Sequence, residues 1–209
     1  VFVDDAGFYQ RTPPPPPPTL LSNPSFHRRL PGWTVFGNAY YDARNFAVRT
    51  VAGSAKLFGP FSEPGAASGM YQVFTGIAEG TNLELGIYSM TTCMESPINA
   101  GNDNVGIAKM VYKDAAGAEI GFDEVTIVDS TAALGTWVHH SVIGTVPAGT
   151  DTVEAYVLFV QPTSSDGAFW VDDASLVEVT GTGVGDDQMP RIASLYQNVP
   201  NPFNPSTRI

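Results

Sequence analysis

Apolar and polar residues alternate with a period of two along most of the chain between positions 20 and 179. In residues 83–90, LELGIYSM, the apolar residues Leu83, Leu85 and Ile87 alternate with residues that include Glu84 and Tyr88. This alternation is typical of a strand with one buried face. The same pattern predicts further strands over residues 105–114, 136–146, 152–161 and 168–179.

Turn-forming residues separate these segments. The intervening stretches, rich in Gly, Pro, Asn, Asp and Ser, are SPINAGNDN, DAAGAEI, VPAGTD and QPTSSDGA. No segment shows a convincing helical period of hydrophobic residues. About eight to eleven short strands in about 160 residues predict an all-β fold, a two-sheet antiparallel β-sandwich of the jelly-roll type.

Composition narrows the classes of protein that need to be considered. Of the 209 residues, 43% are hydrophobic, which is enough to build a core. The 21 acidic and 10 basic residues give a net charge of −11, which disfavours a nucleic-acid partner. No apolar run approaches the roughly 20 residues of a membrane-spanning helix, so we expect no membrane insertion. The single cysteine, Cys93, cannot form an internal disulfide.

Composition also divides the chain into five segments. Residues 12–19, TPPPPPPT, predict a stiff polyproline II linker. Because the chain opens with neither an initiator Met nor a signal peptide, we expect it to be a piece of a longer protein. The five segments are a strand-like stretch (1–10), the polyproline linker (11–19), the β-rich body (20–179), a polar linker (180–192) and a tail (193–209).

The first ten residues repeat the pattern of the last strand-like segment of the body. VFVDDAGFYQ aligns without gaps on FWVDDASLVE, residues 169–178, and both contain Val-Asp-Asp-Ala. A single strand has no sheet of its own to pair with. Two explanations stay open: residues 1–10 end a preceding similar domain, or they add a strand to a neighbouring copy of the chain. In the second case the assembly strand carries Val1, Phe2, Val3 and Phe8.

Five short motifs follow one another in order through the body. They lie in LLSNPSF, in PGW, in VAGSAKLF, in GMYQVF and in the terminal FWVDDASLVEV. This series resembles the carbohydrate-binding modules of the galactose-binding-like jelly-roll group, which accompany bacterial glycoside hydrolases and surface proteins. The resemblance implies a non-catalytic module that holds a larger secreted protein on a polysaccharide or other glycan.

The tail carries a second resemblance. Residues 195–209, LYQNVPNPFNPSTRI, are similar to the opening of the C-terminal sorting domains used by type IX secretion. This resemblance implies that the type IX secretion machinery is a partner, and that the protein is secreted by, or displayed on, a Gram-negative bacterium. The alternative is a disordered tail rich in Pro and Asn.

The resemblance to carbohydrate-binding modules also implies a structural Ca²⁺. Asp172 and Asp173 are the matching carboxylates, and the loop beginning at Asn23 would add carbonyl oxygens, the ligand type that calcium prefers. The chain departs from the pattern at His27, where such modules commonly carry Glu. The alternative is that one aspartate pairs with an arginine directly after His27 and the other faces solvent.

Sugar binding requires aromatic ring faces beside polar groups. Tyr88, Tyr112 and Tyr156 each occupy the strand face opposite a more aliphatic one. If the three strands are neighbours, these rings line one surface together with Glu84 and Glu154. The competing interpretation is that they are core residues, as we expect for Trp33 and Trp170. Alternative glycan contacts at loop edges are Tyr40, Tyr41 and Trp137.

No residue set predicts catalysis. His139 and His140 are adjacent in a strand, so their side chains point to opposite faces and cannot bind one metal. The sequence contains no phosphate-binding glycine loop and no nucleophile elbow. We therefore expect a non-catalytic carbohydrate-binding-like module. The alternative is a structural subunit of an extracellular filament or surface layer, assembled by strand exchange through residues 1–10.

Overall fold

The computed structural model describes residues 18–27, 29–50, 53–59, 64–99, 101–163 and 166–179. None of the helical structure in these ranges has the length and apolar character needed to cross a membrane. The predictions for residues 1–10, for positions 11–17 of the polyproline linker and for residues 180–209 lie outside the described residues. The described strands are β1 (Thr34–Phe36), β2 (Asn38–Asp42), β3 (Ser54–Phe58), β4 (Ala66–Thr75), β5 (Asn82–Met90), β6 (Val105–Lys113), β7 (Glu119–Val128), β8 (Val138–Thr145), β9 (Thr152–Gln161) and β10 (Ala168–Glu178).

The strands form two antiparallel five-stranded sheets. Sheet 1 has the order β1-β4-β9-β6-β7, and sheet 2 has the order β2-β3-β10-β5-β8. Strands that follow one another in sequence are often in different sheets, as β5 and β6 are. The predicted all-β, two-sheet jelly-roll sandwich is confirmed.

The main core fills the space between the two sheets. Alternate residues of the central strands point inward and are fully or almost fully buried, among them Leu85 and Ile87 of β5 and Val157 of β9. Phe159 of sheet 1 stacks on Phe169 of sheet 2 with ring centroids 6.0 Å apart. Burying each large apolar side chain stabilises the fold by about 1.5–3 kcal/mol, so the period of two in the sequence determines which face of each strand is buried.

The turn between β6 and β7 shows how the loop residues act. The Asp114 carboxylate accepts hydrogen bonds from the backbone N–H groups of Ala116 and Ala118, both at 2.9 Å. Gly117 has φ 79°, a conformation that glycine adopts without strain. The turn predicted over DAAGAEI is therefore correct in place, but it is shorter than predicted, since β7 begins at Glu119.

β10 is the central strand of sheet 2 and contains an irregularity that positions two carboxylates. Its pairing with β5 shifts register between Asp172 and Ser175, and Asp173 has φ 45°. The N–H of Ala174 donates to the carbonyl of Pro24 in the opening loop at 2.9 Å. Bulges of this kind re-aim side chains, and here the side chains concerned are those of Asp172 and Asp173.

Candidate functional site

One row of side chains crosses the whole outer face of sheet 1. Residues that pair directly across antiparallel strands project from the same face, and the register joins one residue from every strand. Because neighbouring strands lie about 4.8 Å apart, the row is about 19 Å long. Its members, in order across the sheet, are Thr34, Tyr71, Tyr156, Lys109 and Glu124.

Two stacked tyrosines occupy the middle of this row. The rings of Tyr71 and Tyr156 have centroids 4.8 Å apart and an interplanar angle of 23°. Phe36 lies 6.4 Å from Tyr71 and covers Gly69, where an added Cβ would be 2.7 Å from the phenylalanine ring. We call the outer face of sheet 1 around Phe36, Tyr71 and Tyr156 the tyrosine platform.

A buried carboxylate orients the hydroxyl of Tyr156. Glu154 accepts a hydrogen bond from this hydroxyl at 2.5 Å and another from the Lys113 ammonium at 2.9 Å. Burial, and after it the hydrogen bond to Glu154, raises the pKa of the Tyr156 phenol. The phenol therefore stays protonated at ordinary pH, and the carboxylate, the ammonium and the hydroxyl form one fixed polar group beside the rings.

On the same outer face, at the edge strand β7, a half-exposed aromatic ring lies beside a second ion pair. Phe122 is 50% exposed, and the Lys109 ammonium lies 3.6 Å from its ring centroid. The same ammonium is 3.5 Å from the Glu124 carboxylate. Aromatic faces and hydrogen-bonding groups therefore alternate across the sheet, which suits a ligand that offers both C–H surfaces and hydroxyls.

The three tyrosines predicted to share a surface do not share one. Tyr156 lies on the tyrosine platform. Tyr112 is 1% exposed, and its hydroxyl donates to Asp123 at 2.8 Å; burial, and then this bond, raises the pKa of its phenol. Tyr88 belongs to β5 in the other sheet, as does Glu84, so the prediction that these residues combine with Glu154 is wrong.

Tyr71 is the platform residue that sequence reasoning missed. Alternation along β4 places it opposite the buried Met70 and Gln72, so the signal was present. What the sequence did not reveal is that β4 pairs with β9 and that Tyr71 stands directly beside Tyr156.

A strap of residues 44–50 covers the outer face of sheet 2. Phe46 meets the ring of Trp170 edge-on at 5.7 Å, and the Arg49 guanidinium lies 3.3 Å from the ring centroid of Tyr88. Trp170 is fully buried in a second apolar cluster with Ala47 and Met90, outside the space between the sheets. The prediction that Trp33 and Trp170 are buried is confirmed.

The three alternative aromatic residues lie away from the platform. Tyr40, on β2 of sheet 2, is 53% exposed and stacks on Phe58 with centroids 5.6 Å apart. Tyr41 projects from the opposite face of β2 and packs tightly beside Gly53. Trp137 is half-buried against the second apolar cluster. Of the six predicted glycan contacts, only Tyr156 lies on the tyrosine platform.

The predicted histidine geometry is confirmed. His139 packs beside Tyr88 on the outer face of sheet 2, with ring centroids 4.8 Å apart. His140 instead lines a cavity of about 230 Å³ that also involves Thr126 and Ile127 of β7. Burial and the neighbouring imidazole lower the pKa of His140.

The residues predicted to bind calcium each contact other protein groups. The Asn23 side-chain amide donates to carbonyls of its own loop, and the Asn23 backbone carbonyl accepts the Trp33 indole N–H at 3.3 Å. The Asp173 carboxylate pairs with Arg49 of the strap. Within the described ranges, no three His, Cys, Asp or Glu side chains are placed to hold a metal ion together.

No family model matches the sequence, and no curated protein matches it either. Solved structures do match. TmCBM61, solved in complex with β-1,4-galactotriose, is 17% identical over 78% of this chain and 100% of its own, with a TM-score of 0.51. Another matching structure, Family 16 Carbohydrate Binding Module-2, is 21% identical over 76% of this chain and 99% of its own, also with a TM-score of 0.51. The fold is shared with carbohydrate-binding modules.

Part of a much larger protein also has this fold. The enzymatically active domain of bacteriophage CBA120 tailspike protein 4 is 17% identical to 77% of this chain, with a TM-score of 0.55. This chain spans only 21% of that protein's length. The shared region is therefore a minor part of the tailspike, whereas it is the whole of TmCBM61.

Proposed function

We propose that this chain is a non-catalytic carbohydrate-binding module whose ligand lies along the tyrosine platform. The observation that carries the proposal is the continuous row across sheet 1, with Tyr71 and Tyr156 stacked at its centre. Pyranose rings offer C–H faces that pack on aromatic rings, and their hydroxyls pair with groups such as Glu154 and Lys113. The sugar bound to TmCBM61, a module of similar fold, supports a glycan as the ligand class.

The charges on the platform favour an uncharged polysaccharide. Lys109 and Lys113, the lysines of this face, each pair with a glutamate, so neither offers an unneutralised charge to an acidic sugar. The net charge of −11 also repels polyanions at a distance. We therefore expect uronate-rich or sulfated glycans to bind more weakly than neutral chains.

The same geometry supports a role without catalysis. A glycosidase needs two carboxyl groups about 5–9.5 Å apart beside the scissile bond. Glu84 and Glu154, the two acids predicted to lie beside the tyrosine rings, belong to different sheets. The assay is release of reducing ends from any polysaccharide that binds, and we expect none above background.

The test of glycan binding compares tyrosines on the two sheets. We expect Tyr71→Ala and Tyr156→Ala each to weaken binding to neutral galactan, xylan or glucomannan at least tenfold, as about 1.4 kcal/mol of lost contact would do. Tyr40→Ala is the matched control, since it removes an exposed tyrosine ring from sheet 2. Isothermal titration and affinity electrophoresis measure the effect, with thermal unfolding to confirm the fold.

The result that contradicts the proposal is equally specific. If Tyr40→Ala weakens binding as much as Tyr156→Ala does, the ligand does not lie on the platform. If none of the neutral or acidic polysaccharides binds the wild-type chain, a glycan is not the ligand.

We further propose that the module acts outside a Gram-negative cell after export by the type IX machinery. Support comes from the sequence of residues 195–209 alone. Expressing the full-length protein in a host with and without that machinery tests this, and we expect it in the medium or on the surface only when the machinery is present. Periplasmic retention in both strains would argue against it.

The second candidate function is self-assembly into an extracellular filament or layer. Strands β7 and β8 are at the edges of their sheets, where unpaired backbone can accept another strand. We expect deletion of residues 1–10 to convert an assembled form into a monomer in sedimentation velocity. A wild-type chain that is already monomeric would refute this candidate. The half-exposed apolar side chains on these two strands are Ile120, Phe122, Val138 and Ile143.

A further inference from the structure

At the N-terminal end of the strap, Arg44 forms ion pairs with two carboxylates. Arg44 binds the Asp42 carboxylate through Nε at 2.9 Å and through Nη2 at 2.5 Å. Its other nitrogen pairs with Glu95. After Arg44 the chain forms a single 3-10 turn, Asn45–Ala47, which places the fully buried Ala47 against the sheet.

The second end of the strap meets two adjacent carboxylates of β10. Asp172 is fully buried, and its carboxylate accepts the backbone N–H of Asp173 at 2.8 Å. Burial raises the pKa of Asp172, and the nearby backbone N–H groups of Thr50 and Arg49 oppose that rise. The Asp173 carboxylate accepts the Thr50 hydroxyl at 3.1 and 3.0 Å and pairs with the Arg49 guanidinium.

These carboxylates need a nearby positive charge. Moving a carboxylate out of water is costly unless it is paired and hydrogen-bonded, and two neighbouring acids also repel each other. Arg49 meets this need from between Asp173 and the ring of Tyr88, which adds a cation–π contact at 3.3 Å.

We propose that Arg49 supplies the positive charge that a bound calcium ion would otherwise give the β10 carboxylates. The strap then packs against sheet 2, and the fold is stable, without calcium. Among the described residues no third His, Cys, Asp or Glu side chain joins Asp172 and Asp173, whereas the Arg49 guanidinium pairs directly with Asp173. This role concerns the stability of the module and does not depend on glycan binding.

The rival explanation is that a divalent cation binds beside the β10 carboxylates, and two buried oxygens could serve as its ligands. Asp172 Oδ2 and Ser54 Oγ have no hydrogen-bond partner among the residues that the structure describes. Ser54 pairs with Asp42 across β2 and β3, and β3 in turn lies beside β10. A divalent cation that replaced Arg49 in this role would use these oxygens, so the experiment must separate the two sources of charge.

The experiment measures thermal unfolding of the full chain in a chelator and in excess calcium. We expect the wild-type Tm to be the same in both. Arg49→Gln leaves the buried Asp172 and the half-buried Asp173 without a nearby cation, so we expect its Tm to fall by about 10 °C in chelator and to recover in part with calcium. Arg49→Lys keeps the charge and should restore calcium-independence.

Arg44→Gln is the matched control, because it removes the arginine at the other end of the same strap. It should lower the Tm without creating a response to calcium, since Arg44 does not contact Asp172 or Asp173. If Arg49→Gln does not fold, the double variant with Asp173→Asn removes the unpaired acid as well. Folding of that double variant supports the proposal, and its failure to fold contradicts it.

Two outcomes would overturn the inference. One is a wild-type Tm that falls in chelator, with that dependence abolished by Asp172→Asn, because a bound cation would then hold the strap. The other is an Arg49→Gln variant whose Tm is lower but identical in chelator and in calcium, because the guanidinium would then act by packing and not by its charge.

Discussion

The outer faces of the two sheets carry similar aromatic residues, but the aromatic rings differ in their exposure to solvent. On sheet 1, the Tyr71 and Tyr156 rings form a half-exposed platform with polar groups beside them. On sheet 2, Trp170 and Tyr88 are covered by the strap, and Tyr88 has an arginine against its ring. An aromatic residue that projects outward from a strand is therefore a ligand candidate only where no other part of the chain covers it.

The largest expected effect comes from removing the covered aromatic ring. Trp170→Ala should lower the free energy of unfolding by about 3–5 kcal/mol, because it empties a fully buried site. It also removes the indole N–H that donates to Asp42 at 2.8 Å. Urea unfolding at fixed pH measures the loss, and glycan affinity of the folded protein should not change. A loss below about 1 kcal/mol would show that this face is not a second core.

The next effect concerns the pH dependence of the covered face. Burial, and after it the neighbouring Asp173, raises the pKa of Asp172 from 3.8 to about 6. Because the folded-state pKa is above the unfolded value, the protonated carboxyl makes its full contribution to the free energy of unfolding below pH 4. That contribution is lost as the pH rises to about 6, by an amount on the order of 3 kcal/mol. Urea unfolding from pH 4 to 7 should show this decline, and Asp172→Asn should abolish it.

Asp42 provides the opposite sign in the same measurement. Burial would raise its pKa, but hydrogen bonds from Arg44 and Trp170 outweigh burial and lower it to about 2. Its contribution is present above pH 3.8 and is lost as the pH falls through 2. Asp42→Asn should remove the acid-side loss and leave the decline between pH 4 and 6 intact. If both variants changed the same pH range, the separate assignments would be wrong.

The smallest effect comes from an aromatic residue on the open face. Phe122→Ala removes a ring that is 50% exposed and contacts Lys109. We expect a loss of at most about 1 kcal/mol in unfolding free energy and a several-fold weaker affinity for neutral glycan, measured by titration. A loss of stability close to that of Trp170→Ala would remove the contrast between the two faces.

Local pattern was sufficient to predict five of the ten described strands. The period of two located β5, β6, β9 and β10 to within a few residues, because a half-buried strand must alternate its side chains whatever its neighbours are. The same pattern misjudged Tyr112. Its alternation with Val111 and Lys113 is clear, but which of the two faces meets the core depends on the partner sheet.

The acid pair of β10 shows the same limit. Asp172 and Asp173 stood out in the sequence as adjacent carboxylates, and the resemblance to carbohydrate-binding modules led to the expectation of calcium there. In the structure Asp173 pairs with Arg49, which is 124 residues away along the chain. No spacing rule in the sequence connects positions so far apart, so the contact depended on the path of the strap.

The sequence by itself determined the alternation of its strands, the places where they turn, and the burial of Trp33 and Trp170. These properties follow from local backbone preferences and from the transfer of apolar side chains out of water. Only the tertiary structure decided that Tyr71 stands beside Tyr156 and that Arg49 closes over Tyr88. Both contacts join segments remote in the chain, and the pairing of strands and the course of the strap are set by packing of the whole sandwich.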